Sequence, residues 1–232
     1  MIAPFFGATS FVRRARTFHP RGPIYHAAVA IDAGVPPAFS SLAARLAGRA
    51  LVRFSGALWK RGESFFDVLG CAVRLRRRDD TSATPETDDQ DVLFATIRRP
   101  WTMPFAPFTT NVHDYLGNDY FAVSPFDVGL ERPVYLRLRP HAPASADGTR
   151  AARLEKAVEH GHASLHLEIG EKPFGPWSPL LKIDLTAPAA VDGEALRFRP
   201  FCDGRGLRPR GFVHALRRGV YAISQRARPS HA

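Results

Sequence analysis

Arg49-Ala50-Leu51-Val52-Arg53-Phe54-Ser55-Gly56 is the stretch from which the chain is best read. Its apolar, branched and aromatic residues, closed by a glycine, predict a strand. Side chains alternate along a strand, so Arg53 and Ser55 share a face. Upstream, residues 24–32 (Ile-Tyr-His-Ala-Ala-Val-Ala-Ile-Asp) predict another strand. Residues 36–47 begin with Pro36-Pro37 and then carry Phe39, Leu42, Ala43 and Leu46 at helical spacing. Downstream, residues 65–76 predict a long strand in which Gly70 marks a bulge or a close approach to the backbone. Residues 79–90 are polar and acidic, a flexible hairpin loop. Strands are predicted again at 91–97, 133–139 (ended by Pro140), 163–169 and 179–185.

Between these strands, residues 100–108 hold Trp101, Phe105 and Phe108 among prolines, an irregular apolar segment packed over something. Thr109 or Thr110 is expected to cap a short helix running to about Leu116. Residues 150–159 are helix formers. Residues 210–227 predict a C-terminal helix with Phe212, Val213, Leu216, Val220 and Ile223 on its apolar side. About eight strands with few helices between them predict an α+β, mainly β fold. The expectation is a closed antiparallel β-barrel with peripheral helices, residues 1–232 forming one domain without a repeat or a dividing linker.

Composition narrows the partners. The hydrophobic share of 45% is that of a chain with a core. No apolar run reaches membrane-span length. Met1 to Ser10 lacks the basic start of a secretory signal, so the cytoplasm is the expected compartment. Cys71 and Cys202 make neither a disulfide framework nor a C-x-x-C pair. The net charge of +10 is dispersed and Arg-rich, and reads as a solvated surface rather than a specific nucleic-acid site. The run Arg74 to Arg78, leading into Asp79-Asp80, is expected at the exposed end of a strand. Asp67 and Asp91, strand residues near arginines, are expected in structural ion pairs. His160, His162 and His166 read as a surface cluster, with His162 and His166 on one strand face. Gly204-Arg205-Gly206 reads as a turn.

Several stretches carry candidate chemistry: Arg16-x-x-His19-x-x-Gly22, Arg53-Phe54-Ser55, Asp67 to Arg74, Asp91-Val92-Leu93, Tyr120 to Phe126 running into residues 133–140, and Arg217-x-x-x-Tyr221 with Arg228. On a helix Arg217 and Tyr221 share a face. In this order and spacing, the sequence resembles the haem catalase superfamily along most of its length. The resemblance implies haem b as cofactor. Tyr221 would be the phenolate ligand of the iron, with Arg217 favouring its ionised form. His19 would be the acid–base group above the iron, its imidazole held by Ser55. Arg16, Arg53 and Arg228 would pair with the propionates, which their planar forks suit. The substrate implied is hydrogen peroxide or an organic hydroperoxide, in a weak catalase or a peroxidase using a small organic donor.

The resemblance departs at one point. Where catalases place a distal asparagine this chain has Phe94-Ala95-Thr96, and Thr96 is the nearest polar substitute. Alternatives stay open at this stage. His19 alone is a loop histidine, and Tyr221 alone is a core aromatic of an amphipathic helix. The barrel could bind haem without catalysis, or could have lost haem and serve as a hydrolase or binding module. A homo-oligomer is left open.

Overall fold

A computed structural model describes residues 22–56, 66–98, 100–122, 124–141, 148–193, 195–199 and 201–210. In chain order these form β1 (Ile24–Ile31), α1 (Ser40–Leu46), β2 (Gly48–Gly56), β3 (Leu69–Arg76), β4 (Gln90–Ala95), α2 (Ala106–Thr109) and β5 (Tyr120–Ala122). They continue through β6 (Phe126–Asp127), β7 (Tyr135–Pro140), α3 (Arg150–Glu159), β8 (Ser164–Gly170), β9 (Ser178–Pro188) and β10 (Arg208–Pro209). A closed eight-stranded antiparallel barrel runs β1-β2-β3-β4-β5-β7-β8-β9, and β9 returns to pair with β1. β6 and β10 form a separate two-stranded sheet. The closed barrel expected from the strand count is therefore present. Among the described residues no helix is long and apolar enough to cross a membrane.

Alternation explains the core. Val52 and Phe54 on β2, Cys71 and Val73 on β3, and Val92 and Phe94 on β4 turn inward and meet Leu138, Leu165, Leu181 and Ile183 from the far wall. Each fully buried Leu or Phe contributes about 1.5–3 kcal/mol. The apolar sides of α1 (Leu42, Ala43, Leu46) and α3 (Leu154, Ala157, Val158) join the same cluster. Thr149 caps α3 by accepting a hydrogen bond from the Ala152 N–H at 3.3 Å. Gly204-Arg205-Gly206 is a turn, with Gly206 at φ +95°. Arg205 reaches from it to donate to the Leu46 and Ala47 carbonyls at 3.2 and 3.1 Å, closing the C-terminal end of α1.

Several local expectations are corrected. The arginine run is not an exposed strand end, because Arg74 and Arg76 are buried on β3. The acidic segment is the hairpin loop between β3 and β4, as expected, but it folds back on the arginines: Arg76 donates to the Ser82 carbonyl at 3.2 Å, and Arg78 pairs with Asp89, Asp80 and Glu86. Thr109 and Thr110 do not start a helix. They lie at the C-terminal end of α2, and both hydroxyls donate back to the Ala106 carbonyl at 3.2 and 2.8 Å. His162 precedes β8, so it shares no strand face with His166. It stacks on His160 instead, while His166 faces Asp32 at 3.0 Å. β5 was not anticipated as a strand. The proposed helix at 210–227 lies outside the described residues.

Candidate functional site

The outward face of β2, β3 and β4 can be taken row by row, because residues opposite one another in register point the same way. The first row is Leu51, Arg74 and Asp91. The second is Arg53, Ala72 and Leu93. The third is Ser55, Gly70 and Ala95. Side-chain size falls along this series from an ion pair to a glycine.

In the first row, Arg74 forms a two-pronged pair with Asp91 at 2.7 and 2.8 Å, both side chains fully buried. Arg74 also donates to the Ala83 and Arg197 carbonyls, and Asp91 accepts from the Arg199 N–H. Burial works against the Arg74 charge, but the bonded Asp91 outweighs it and holds the guanidinium above its usual range. Both expected ion pairs are present. Asp91 has Arg74, and Asp67 has Arg150 at 3.8 Å.

In the second and third rows, Arg53 and Ser55 lie side by side and are both buried. Arg53 donates to the Leu196 carbonyl at 2.9 Å and stacks on Phe198, its guanidinium carbon 4.8 Å from the ring centre. Gly70, Ala72 and Ala95 beside them are small and themselves buried, with Ala95 packed against Val68 and Ala106. The chain leading from the His19 segment reaches this same place. Pro23 accepts the Phe54 N–H at 3.1 Å, and a side chain on Gly22 would fall 1.8 Å from the Phe54 carbonyl oxygen. Only glycine permits that approach.

Thr96 stands apart from this row. Ala95, not Thr96, is the register partner of Gly70. The Leu69 N–H donates to the Thr96 hydroxyl at 3.2 Å, the Thr96 and Thr110 hydroxyls are 2.7 Å apart, and Thr110 donates to the Ala106 carbonyl. Since Thr110 gives its one proton to Ala106, Thr96 must give its own to Thr110. Thr96 can thus accept from a ligand but not donate to one while this chain is intact. His19, Arg16, Arg217, Tyr221 and Arg228 lie outside the described residues.

Beyond Thr96 a cleft of about 710 Å³ opens between the end of β4, α2 and the ends of β5 and β7. Arg98, Phe105, Asp119, Phe121 and Arg139 line it. Of these, the sequence pointed to Phe105 in the proline-rich apolar segment and to Phe121 and Arg139 within the stretches Tyr120 to Phe126 and 133–140, but not to Arg98 or Asp119. Phe108 turns away to pack on Phe66, ring centres 4.7 Å apart. Among the described residues no group of three His, Cys, Asp or Glu is placed to hold a metal ion. No family model matches the chain, and a search of curated proteins finds no match.

Proposed function

We propose that the protein is a catalase-like haem-binding barrel acting on hydrogen peroxide or organic hydroperoxides. The observation that carries this reading is the pairing of Arg53 and Ser55 beside Gly70, Ala72 and Ala95, with the Gly22–Pro23 backbone seated on Phe54. A planar group with two carboxylates needs a low apolar surface and a cationic anchor at its edge. The small residues of β3 and β4 beside Arg53 support that reading. Arg53 donates to Leu196 and lies over Phe198 at this place, and a guanidinium is the kind of planar fork that suits a propionate. His19 is three positions before Gly22, so an extended chain between them spans at most about 11 Å.

In this reading Tyr221 would hold the iron, Arg217 would stabilise the phenolate, and Arg16, Arg53 and Arg228 would hold the propionates. Bound haem supplies the redox change that peroxide cleavage requires. His19 takes the proton from one peroxide oxygen and returns it to the other, while Ser55 fixes the imidazole. Ala95 in the row of Ser55, and the committed proton of Thr96, favour a second reading: haem binding with slow turnover or none.

Absorption spectra after haem addition separate these. A Soret band with peroxide turnover supports the first reading, a Soret band without turnover the second, and no Soret band excludes both. His19→Ala should keep haem and lose turnover; surviving turnover removes His19 from the mechanism. Tyr221→Phe should weaken haem retention or shift its spectrum, and an unchanged spectrum points to another iron ligand.

A further inference from the structure

We infer that the cleft beyond Thr96 is a binding site for a small organic monoanion, a carboxylate or sulfonate on an aromatic or short aliphatic body. The site is separate from the proposed haem face and does not depend on haem being bound.

Charge is the first ground. Arg98, Arg139 and Asp119 line the cleft, and among the described residues neither arginine has a carboxylate partner, while Asp119 lies 3.5 Å from Arg137 behind the lining. Two cations against one carboxylate leave one positive charge in excess. Arg98 is exposed at the cleft, its guanidinium carbon 5.8 Å from the centre of the Phe121 ring. A charge held over an aromatic face beside an apolar wall suits an amphiphilic anion better than a hydrated inorganic one.

Shape is the second ground. The walls are braced by hydrogen bonds that leave the cleft open. One wall is the turn at 111–118, pinned by Asn118, which accepts from the Asn111 N–H at 2.8 Å and donates to the Asn111 and Asp114 carbonyls at 2.9 and 2.6 Å. The other is the run of hydrogen bonds Leu69–Thr96–Thr110–Ala106. Phe105 and Phe121 supply apolar surface, and Phe105 is 65% exposed at the rim. An exposed phenyl ring beside unneutralised arginines costs less when a ligand's ring covers it. The volume of about 710 Å³ falls within the range of small-molecule sites, about 300–1,000 Å³.

The test is calorimetric titration of the purified full chain with cinnamate and with its neutral counterpart cinnamamide. Cinnamate should bind, and cinnamamide should bind roughly tenfold more weakly or not at all. The double variant Arg98→Gln with Arg139→Gln should lower cinnamate affinity at least about tenfold and leave the amide unaffected. Arg132→Gln, an exposed arginine outside the cleft lining, should change neither. The far-ultraviolet spectrum of the double variant serves as the folding control, since both arginines are exposed. No binding of cinnamate, equal binding of acid and amide, or full affinity in the double variant each overturns the assignment. Titration with and without added haem keeps it apart from the haem reading: a Soret band that fails to form leaves this site standing, and cinnamate binding confined to the haem-loaded protein places the anion elsewhere.

Discussion

The two ends of one sheet face differ more than the two faces do. On the outer side of β2–β4, one end buries Arg74 and Asp91 under residues 195–199 and saturates them with hydrogen bonds. The other end, a few residues along the same strands, carries Ser55, Gly70 and Ala95. A buried ion pair needs every lone pair and proton satisfied, so its surroundings are specified tightly and admit nothing else. A row of small residues specifies little by itself and gains meaning from what is laid on it. One end of the face is closed over a saturated ion pair, and the other is closed over small side chains, with Ala95 against Val68 and Ala106.

Breaking the pair gives the largest effect. Asp91→Ala strands the Arg74 charge in the interior and should destabilise the fold by about 3–5 kcal/mol in denaturant unfolding. A loss below about 1 kcal/mol would mean the guanidinium finds water, and the contrast between the two ends would collapse.

The next effect concerns Cys71, which stands on the inner side of β3 beside Gly70. Burial pushes its thiol well above the usual range. The protonated form is therefore favoured in the fold. Stability is unaffected below the unfolded thiol's pKa, then falls as pH rises above it, by up to about 1.4 kcal/mol per pH unit. Cys71→Val should flatten that alkaline slope. Tyr25, pushed up to about 12 chiefly by burial and then by Glu155, adds a second, later decline that the variant retains. An unchanged slope in Cys71→Val would show that the thiol is wet.

Smaller effects are expected where the residues are small. Arg53→Lys forfeits the planar stack on Phe198 and should cost roughly 0.5–1 kcal/mol in stability. Its larger consequence should be weaker haem retention on a desalting column. Ser55→Ala should shift stability by no more than about 1 kcal/mol. Any peroxide turnover of the wild type should drop more than tenfold with the Soret band intact. If stability fell more than turnover, Ser55 would belong with the packed end of the face.

The barrel was legible because long strands alternate or run apolar in ways that period alone reveals. β2 shows this best, with Arg53 and Ser55 correctly paired on one face from spacing alone. β5 escaped notice because three residues are too short to show a period. The arginine run misled for a different reason. A cluster of like charges reads as solvated unless its partners are known. Here they sit in the following loop and beyond, in Asp80, Glu86, Asp89 and Asp91, and only the folding back of that loop brings them close. Thr109 and Thr110 have the right chemistry for a cap at the wrong end, since a hydroxyl serves a carbonyl as readily as an amide. The approach of Gly22 to Phe54, and the convergence of Arg98, Phe121 and Arg139 on one cleft, rest on contacts across strands that spacing cannot reveal.

The pairing of β1 with β9 has a further consequence, for how the chain is made. The first strand of the barrel waits for the last, about 150 residues later, before its outer edge is covered. Contacts of such sequence separation form slowly and late. On the ribosome β1–β4 can assemble as an open meander, but the edge of β1 stays available to neighbours until Ser178–Pro188 has emerged. Premature termination anywhere before Ser178 would leave two bare edges, on β1 and on the last barrel strand made, so nascent fragments of this protein should be strong clients for chaperones that shield strand edges.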